Sequence, residues 1–261
     1  MIKLNNFNLK NIIENLIKAF YEAGQKALKI SENGIKVTIK PDGSPVTNGD
    51  LEVDRILKKK IISLTPNTPI ISEESVDFNS SNNYKTFWLI DPIDGTRDFI
   101  KKKDQYTLNA ALVVDFNLVA GIVYAPAKDR LFFSYGKNQA FEINNGQKKI
   151  LNCKKINKEQ IIGLKNSDNP SSETLKIYEH YKVSETVKIS SSLKFCILAA
   201  GEADIYVAKA RAYEWDIAAG HIVLEHSGGS VKTIEGKNFL YGKKNYKNLP
   251  IIAKRSEYLE K

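Results

Sequence analysis

Apolar positions in LKNIIENLIKAFYEAGQKAL recur at Ile12, Ile13, Leu16, Ile17 and Phe20, with Asn, Glu and Lys between them. This spacing puts the apolar side chains on one face and predicts an amphipathic helix over 7–32. A polar loop around PDGSPVTNGD follows, then a second helix over 49–64 and a short strand in PIISEE. The pattern next changes to strand-forming runs: TFWLI, TLNAALVVD, NLVAGIVYAP, RLFFSYG and QAFEIN. Turn residues such as Asp115-Phe116-Asn117 and Asn144-Asn145-Gly146 separate them, the reading of an antiparallel meander. From about 150 onward strands alternate with helical stretches, among them SSETLKIYEHY, SLKFCILAAGEA and WDIAAGHIVLEHSGG. Two parts are expected, an α+β half over 1–150 and an α/β half over 151–261.

Composition narrows the class. At 261 residues the chain is long enough to bury a full core unaided. No apolar run approaches the roughly 18–20 residues of a membrane span, so no stable membrane insertion is expected. The first helix lacks a signal peptide's unbroken apolar segment, which points to the cytoplasm, with peripheral attachment to the inner membrane left open. Cys153 and Cys196 are the only cysteines and lack metal-ligand spacing, so neither a disulfide framework nor a zinc site is expected. The net charge of +9 suits an anionic partner, either nucleic acid or a small phosphorylated substrate. Lys, Asn and Ile are abundant throughout, however, a bias that an AT-rich genome produces without a partner. Lys58–Lys60 and Lys101–Lys103 are short runs without interleaved aromatics, which argues against nucleic acid.

Four acidic clusters stand out: Asp50 in SPVTNGD, Glu73 and Glu74 in ISEES, Asp91 and Asp94 in DPIDGT, and Asp216 in EWDIAAG. Each follows or opens a regular element, where a scaffold presents functional groups. Gathered carboxylates repel one another, and hard cations such as Mg²⁺ relieve that repulsion through oxygen ligands alone. A chain with 3 His and 2 Cys suits such a metal better than zinc. After Asp94, Gly95 permits close backbone approach, and Thr96 to Asp98 form the first turn of an expected helix whose N–H groups favour an anion. Metal carboxylates beside a phosphate-binding turn describe a phosphoryl-transfer site. Simpler uses also fit. Asp94 and Thr96 suit a helix cap, Thr47 and Asp50 a capping box, and Asp216 an N-cap for a helix that Gly228 ends. Asp91 has no such use, because it is fused to the apolar run Phe87–Ile90, and a buried carboxylate needs a partner.

DPIDGTRDF is similar to the D-P-[ILV]-D-G-T-x-x-F signature of the Mg²⁺-dependent, lithium-sensitive inositol monophosphatase superfamily, and WDIAAG resembles its second signature. The loop from Lys40 to Thr47 and Glu73-Glu74-Ser75 extend the match over nearly the whole chain. FWLIDPIDGTRDFIKKKDQYTLNAALV and SSLKFCILAAGEADIY most resemble the CysQ-type 3'(2'),5'-bisphosphate nucleotidases, which convert adenosine 3',5'-bisphosphate to AMP and phosphate. The resemblance implies the layered αβαβα sandwich of the sugar phosphatases, an α/β (α+β) fold, and two or three Mg²⁺ ions per site. It implies that Glu73, Asp91 and the Ile93 carbonyl hold the first ion. Asp91, Asp94 and Asp216 would hold the second, and Glu73 with waters a weaker third. Asp50 and Thr96 would polarise the attacking water, the N–H groups of Gly95 and Thr96 would hold the phosphate, and Ser191 and Lys194 would contact the nucleotide, with Asp216 also bordering the substrate. Two departures bear on the leaving group. Lys165-Asn166-Ser167-Asp168 stands where many relatives carry Ser-Arg-Ser-His, and the basic residue expected after Ala203–Val207 is displaced to Lys209 or Arg211. An inositol monophosphatase or another sugar-phosphate phosphatase, a catalytically silent anion-binding protein, and a homodimer all remain compatible with the sequence.

Overall fold

The computed structural model describes residues 8–78, 83–154, 159–210, 212–238, 240–256 and 259. Helix α1 (Leu9–Asn33) buries Ile13, Leu16 and Phe20 as the spacing predicts, and Asn8 caps it by accepting from the Asn11 N–H at 3.0 Å. Where a polar loop is expected, a two-stranded ribbon forms from β1 (Val37–Ile39) and β2 (Pro45–Thr47). Every β1 residue is exposed; the apolar–polar alternation from Ile35 to Lys40 is a short strand signal that the expected loop left out. Helix α2 (Asn48–Leu64) opens on the Thr47–Asp50 capping box: the Thr47 Oγ1 accepts from the Gly49 N–H at 3.0 Å and the Asp50 carboxylate from the Thr47 N–H at 2.8 Å.

The next elements are β3 (Ile70–Ser72), β4 (Phe87–Asp94), α3 (Thr96–Ile100), β5 (Thr107–Val114), β6 (Asn117–Ala125), β7 (Arg130–Ser134), β8 (Ala140–Asn144) and β9 (Gln147–Ile150). The seven strands from β3 to β9 form one sheet in chain order, parallel at β3–β4 and antiparallel thereafter. The expected meander is therefore present, with one further strand: the exposed β9, QKKI, has no apolar period to read. Strand β4 is buried on both faces, which is why Phe87–Ile90 is an unbroken apolar run.

The remaining elements are β10 (Ile162–Lys165), α4 (Ser172–His180), β11 (Glu185–Lys188), α5 (Leu193–Ala199), β12 (Ile205–Ala208), α6 (Glu214–His226), β13 (Ser230–Thr233) and β14 (Ile251–Lys254). Their five strands form a second sheet in the order β11-β10-β12-β14-β13. One apolar cluster joins α1 and α2 to the first sheet through Leu57, Trp88 and Ile122. A second fills the space between the sheets, where Phe195 of α5 and Val223 of α6 meet Leu89, Val123 and Ala253. A third packs Tyr178 of α4 on the outer face of the second sheet against Ile205. The layers run α, β, α, β, α, the sandwich the resemblance implies. Cys153 and Cys196 are free and buried. Among the described residues no helix is long and apolar enough to cross a membrane.

Candidate active site

Strand β4 does not stop before the acidic turn; it runs through Asp94. Its pairing with β5 slips between Asp91, opposite Asn109, and Asp94, opposite Thr107. Pro92 lies in that irregularity, the place in a sheet where a residue without an N–H is tolerated. Such a bulge re-aims side chains near a site. Gly95 then takes a positive φ of 93° and forms the N-cap of α3, so Thr96 is its first residue. The cap expected of Asp94 is therefore supplied by the glycine, and the Asp94 carboxylate instead accepts from the Ser192 N–H.

Glu73, Asp91 and Asp216 each offer an oxygen, and these oxygens lie within 4.8 Å of one another. Asp91 is 1% exposed and its Oδ1 has no hydrogen-bond partner among the described residues. Burial pushes the Asp91 carboxyl well above the usual carboxylate range, and the charges of Glu73, Asp94, Asp216 and Asp50 push it further. Asp216 is raised well above that range by desolvation and by Asp94 and Glu73. Asp94 is pushed up to about 6 by desolvation, against the Lys194 ammonium and the Ser192 N–H. Three converging carboxylates, one of them buried with an oxygen that has no partner among the described residues, need positive charge. They fit a hard divalent cation held by oxygen ligands. Asp94 lies beside this set, and the Ile93 carbonyl accepts from the Thr96 hydroxyl at 3.1 Å.

Asp216 is not the N-cap of α6, as the sequence suggested. Tyr213 is, and Asp216 sits in the third helical position, accepting from the Tyr213 N–H at 2.8 Å. A carboxylate there answers a free N–H and still faces the ligand side. The helix does end where expected, with Gly228 at φ 105° just beyond it.

Asp50 and Thr96 meet although 46 residues separate them, the Thr96 hydroxyl lying 3.2 Å from Asp50 Oδ1. Their approach depends on Gly49, where an added Cβ would lie 2.7 Å from the Phe99 ring of α3. Asp50 is buried, and desolvation raises its pKa, partly opposed by the Thr47 hydroxyl at 2.5 Å.

A cavity of about 660 Å³ opens over these groups, lined by Glu73, Asp94, Asp216, the turn Gly95–Asp98, Ser191, Lys194 and Tyr206. Ser191 adopts φ 58° just before α5. The Lys194 ammonium donates to the Ser191 carbonyl at 2.5 Å and lies 5.0 Å from the centre of the Tyr206 ring. Its charge also reaches Asp94 and Asp216, so Lys194 borders the carboxylate cluster. Lys209 lines the same cavity, and Arg211 lies outside the described residues.

Two groups were not singled out from the sequence. The Lys40 ammonium bridges Glu73 at 3.1 Å and Glu74 at 2.9 Å; desolvation nonetheless pushes Glu74 up to about 7. Asn109 accepts from the Ser192 hydroxyl at 2.5 Å and so ties the Ser191–Ser192 turn to β5. Its signal was visible: an amide within the otherwise apolar TLNAALVV.

A model of the inositol monophosphatase family matches residues 8–259. The chain is 35% identical over 250 residues to the 3'(2'),5'-bisphosphate nucleotidase CysQ of Buchnera aphidicola, covering 92% of this chain and 93% of the relative. It is 33% identical over 208 residues to the protein of the same name from Escherichia coli K12, covering 78% and 82%. The crystal structure of CysQ from Bacteroides thetaiotaomicron superposes with a TM-score of 0.78 at 27% identity, covering 95% of this chain and 98% of that one. The fold, both signatures and these matches agree: the chain belongs to the inositol monophosphatase family.

Proposed function

We propose that the chain is a Mg²⁺-dependent phosphomonoesterase that removes the 3'-phosphate of adenosine 3',5'-bisphosphate, giving AMP and phosphate. The observation that carries the phosphatase reading is the buried Asp91 carboxylate, whose Oδ1 has no hydrogen-bond partner among the described residues, converging with Glu73 and Asp216. The nucleotide is supported by the names of the relatives, which are similar over most of the chain. Glu73, Asp91 and the Ile93 carbonyl are the ligands for one ion, Asp91, Asp94 and Asp216 for a second, and Glu73 with solvent for a third. Mg²⁺ bound there neutralises phosphate charge and makes the attacking water more acidic.

The chain's own groups do the rest. The Thr96 hydroxyl donates to Asp50, which leaves its lone pairs free to accept a hydrogen bond from the attacking water and aim its oxygen; as that water gives its proton to Thr96 Oγ1, Thr96 hands its own proton to Asp50. Asp50 carries the negative charge that favours that transfer. The N–H groups of Gly95 and Thr96, at the start of α3, hold the phosphate oxygens. Lys194 and Ser191 border the nucleotide, with Lys194 on the metal side. Phosphate release with Mg²⁺ from adenosine 3',5'-bisphosphate, inositol 1-phosphate, fructose 1,6-bisphosphate and AMP tests the assignment. The bisphosphate nucleotide is expected to be the fastest substrate. A preference for inositol 1-phosphate overturns the nucleotidase reading, and full activity in excess EDTA overturns the metal.

A further inference from the structure

Strands β10, β11 and β12 run parallel, with Lys165 opposite Lys188 and Leu164 opposite Tyr206, so their carboxyl ends share one edge of the second sheet. Ligands of α/β sheets settle at that edge. Here it carries three lysines: Lys165 ends β10, Lys188 ends β11, and Lys209 follows β12. Lys188 and Lys209 line the cavity that also holds the metal carboxylates. A smaller cavity of about 190 Å³, lined by Lys165, Asn166, Ser167 and Asn169, adjoins it through the shared residues Asn166 and Lys209.

One acid stands among these lysines. Asp168, between the lining residues Ser167 and Asn169, holds the Lys188 ammonium at 2.6 Å. The hydrogen bond from Lys188 keeps the Asp168 carboxyl below the usual range. Both side chains are exposed, 47% and 69%. An ion pair at that exposure is weak and exchangeable. A phosphate, with more charge and more acceptor oxygens than a carboxylate, outcompetes it for an ammonium.

We infer that Lys188 is the cation for the second phosphate of the substrate and that Asp168 is a built-in competitor, which that phosphate displaces when a nucleoside bisphosphate binds. The inference rests on the nucleotidase reading above. It gives Asp168 in the Lys165–Asp168 segment a role: it occupies Lys188 while no second phosphate is bound and, by competing for that lysine, tempers the affinity for a bisphosphate.

The test compares KM for adenosine 3',5'-bisphosphate with KM for adenosine 3'-monophosphate, which has the same base and scissile phosphate and lacks the 5'-phosphate. In Asp168→Asn the bisphosphate KM falls about two- to fivefold relative to the monophosphate, the range of an exposed ion pair. In Lys188→Gln the ratio moves the other way, by about five- to tenfold. In the double variant the gain from Asp168→Asn disappears, because there is no lysine left to release. A general field effect of removing one negative charge would instead lower both KM values equally and persist in the double variant. Either result overturns the inference and leaves the nucleotidase reading standing. A wild-type enzyme that does not hydrolyse the bisphosphate overturns both.

Discussion

The two sides of the site, the buried carboxylates beneath one rim of the cavity and the lysine pair at the other, are built on opposite terms. On the first sheet's side, Asp91 and Asp50 are each 1% exposed and fixed by a strand bulge and a capping box. On the second sheet's side, Lys188 and Asp168 are exposed, sit at strand and loop ends, and are held by a single ion pair. Asp50 is held by donors from Thr47 and Thr96, whereas the Asp91 Oδ1 has no hydrogen-bond partner among the described residues and suits a cation; on the proposed reading this rim does the chemistry. Exposure makes the lysine rim exchangeable, which suits it to choosing among anions. On the proposed reading, catalysis falls on the buried groups and selection on the exposed pair, where a side chain can change partners at little cost.

The largest expected effects fall on the buried rim. Asp94→Asn is expected to lower Mg²⁺-supported phosphate release by a factor on the order of 10³ or more, since it removes charge from the metal set. Its melting temperature should hold or rise, because repulsion among the carboxylates falls. Next come Thr96→Val and Asp50→Asn, each expected to lower kcat by a factor on the order of 10²–10⁴ with little change in KM. If these residues only cap helices, each change instead costs about 1 kcal/mol of stability and leaves kcat alone. Kinetics beside a thermal melt separates the two.

A smaller effect sharpens the contrast between inner and outer lysines. Lys194 lies against Tyr206 and acts on Asp94 and Asp216. Lys194→Ala is therefore expected to raise the Mg²⁺ concentration needed for half-maximal rate. At saturating Mg²⁺ it should lower kcat/KM about ten- to a hundredfold, for the 3'-monophosphate as well as the bisphosphate. A loss confined to the bisphosphate would move the second-phosphate cation from Lys188 to Lys194 and erase the distinction between the rims.

Much of the buried rim was legible because it is made of local chemistry. Thr47-x-x-Asp50 is a cap whether or not it is catalytic, and Asp91 on an apolar strand announces an uncompensated charge. The long helices and central strands carry clear periods and appear where expected. Strand β9 does not, because its exposed residues carry no apolar period, and the ribbon β1–β2 does not, because three-residue strands are short and the alternation from Ile35 to Lys40 is their one signal. Asp216 was assigned the wrong cap position, since N-cap and third-position carboxylates look alike without backbone angles. The Lys40 bridge to Glu73 and Glu74 and the Lys188–Asp168 pair join residues 33, 34 and 20 positions apart. No spacing rule relates such pairs; only the fold brings them together.

The central claim is that Glu73, Asp91 and Asp216 are a carboxylate cluster only partly compensated by Lys40 and Lys194, which suits a divalent cation. Thermal melts of the wild type and Asp91→Asn at several pH values, with and without Mg²⁺, test it most directly. The folded-state pKa values of Asp91, Asp94 and Asp216 lie above those of the unfolded chain. The folded form then binds protons more tightly, so metal-free stability is lost as pH rises through these values, Asp94's at about 6 among them. The account predicts that the metal-free wild type melts lower at pH 8 than at pH 6, that Mg²⁺ restores the loss, and that Asp91→Asn flattens the pH dependence and removes most of the response to Mg²⁺. An Asp91→Asn protein that melts lower than the wild type without metal, yet is stabilised by Mg²⁺ as strongly, would contradict it.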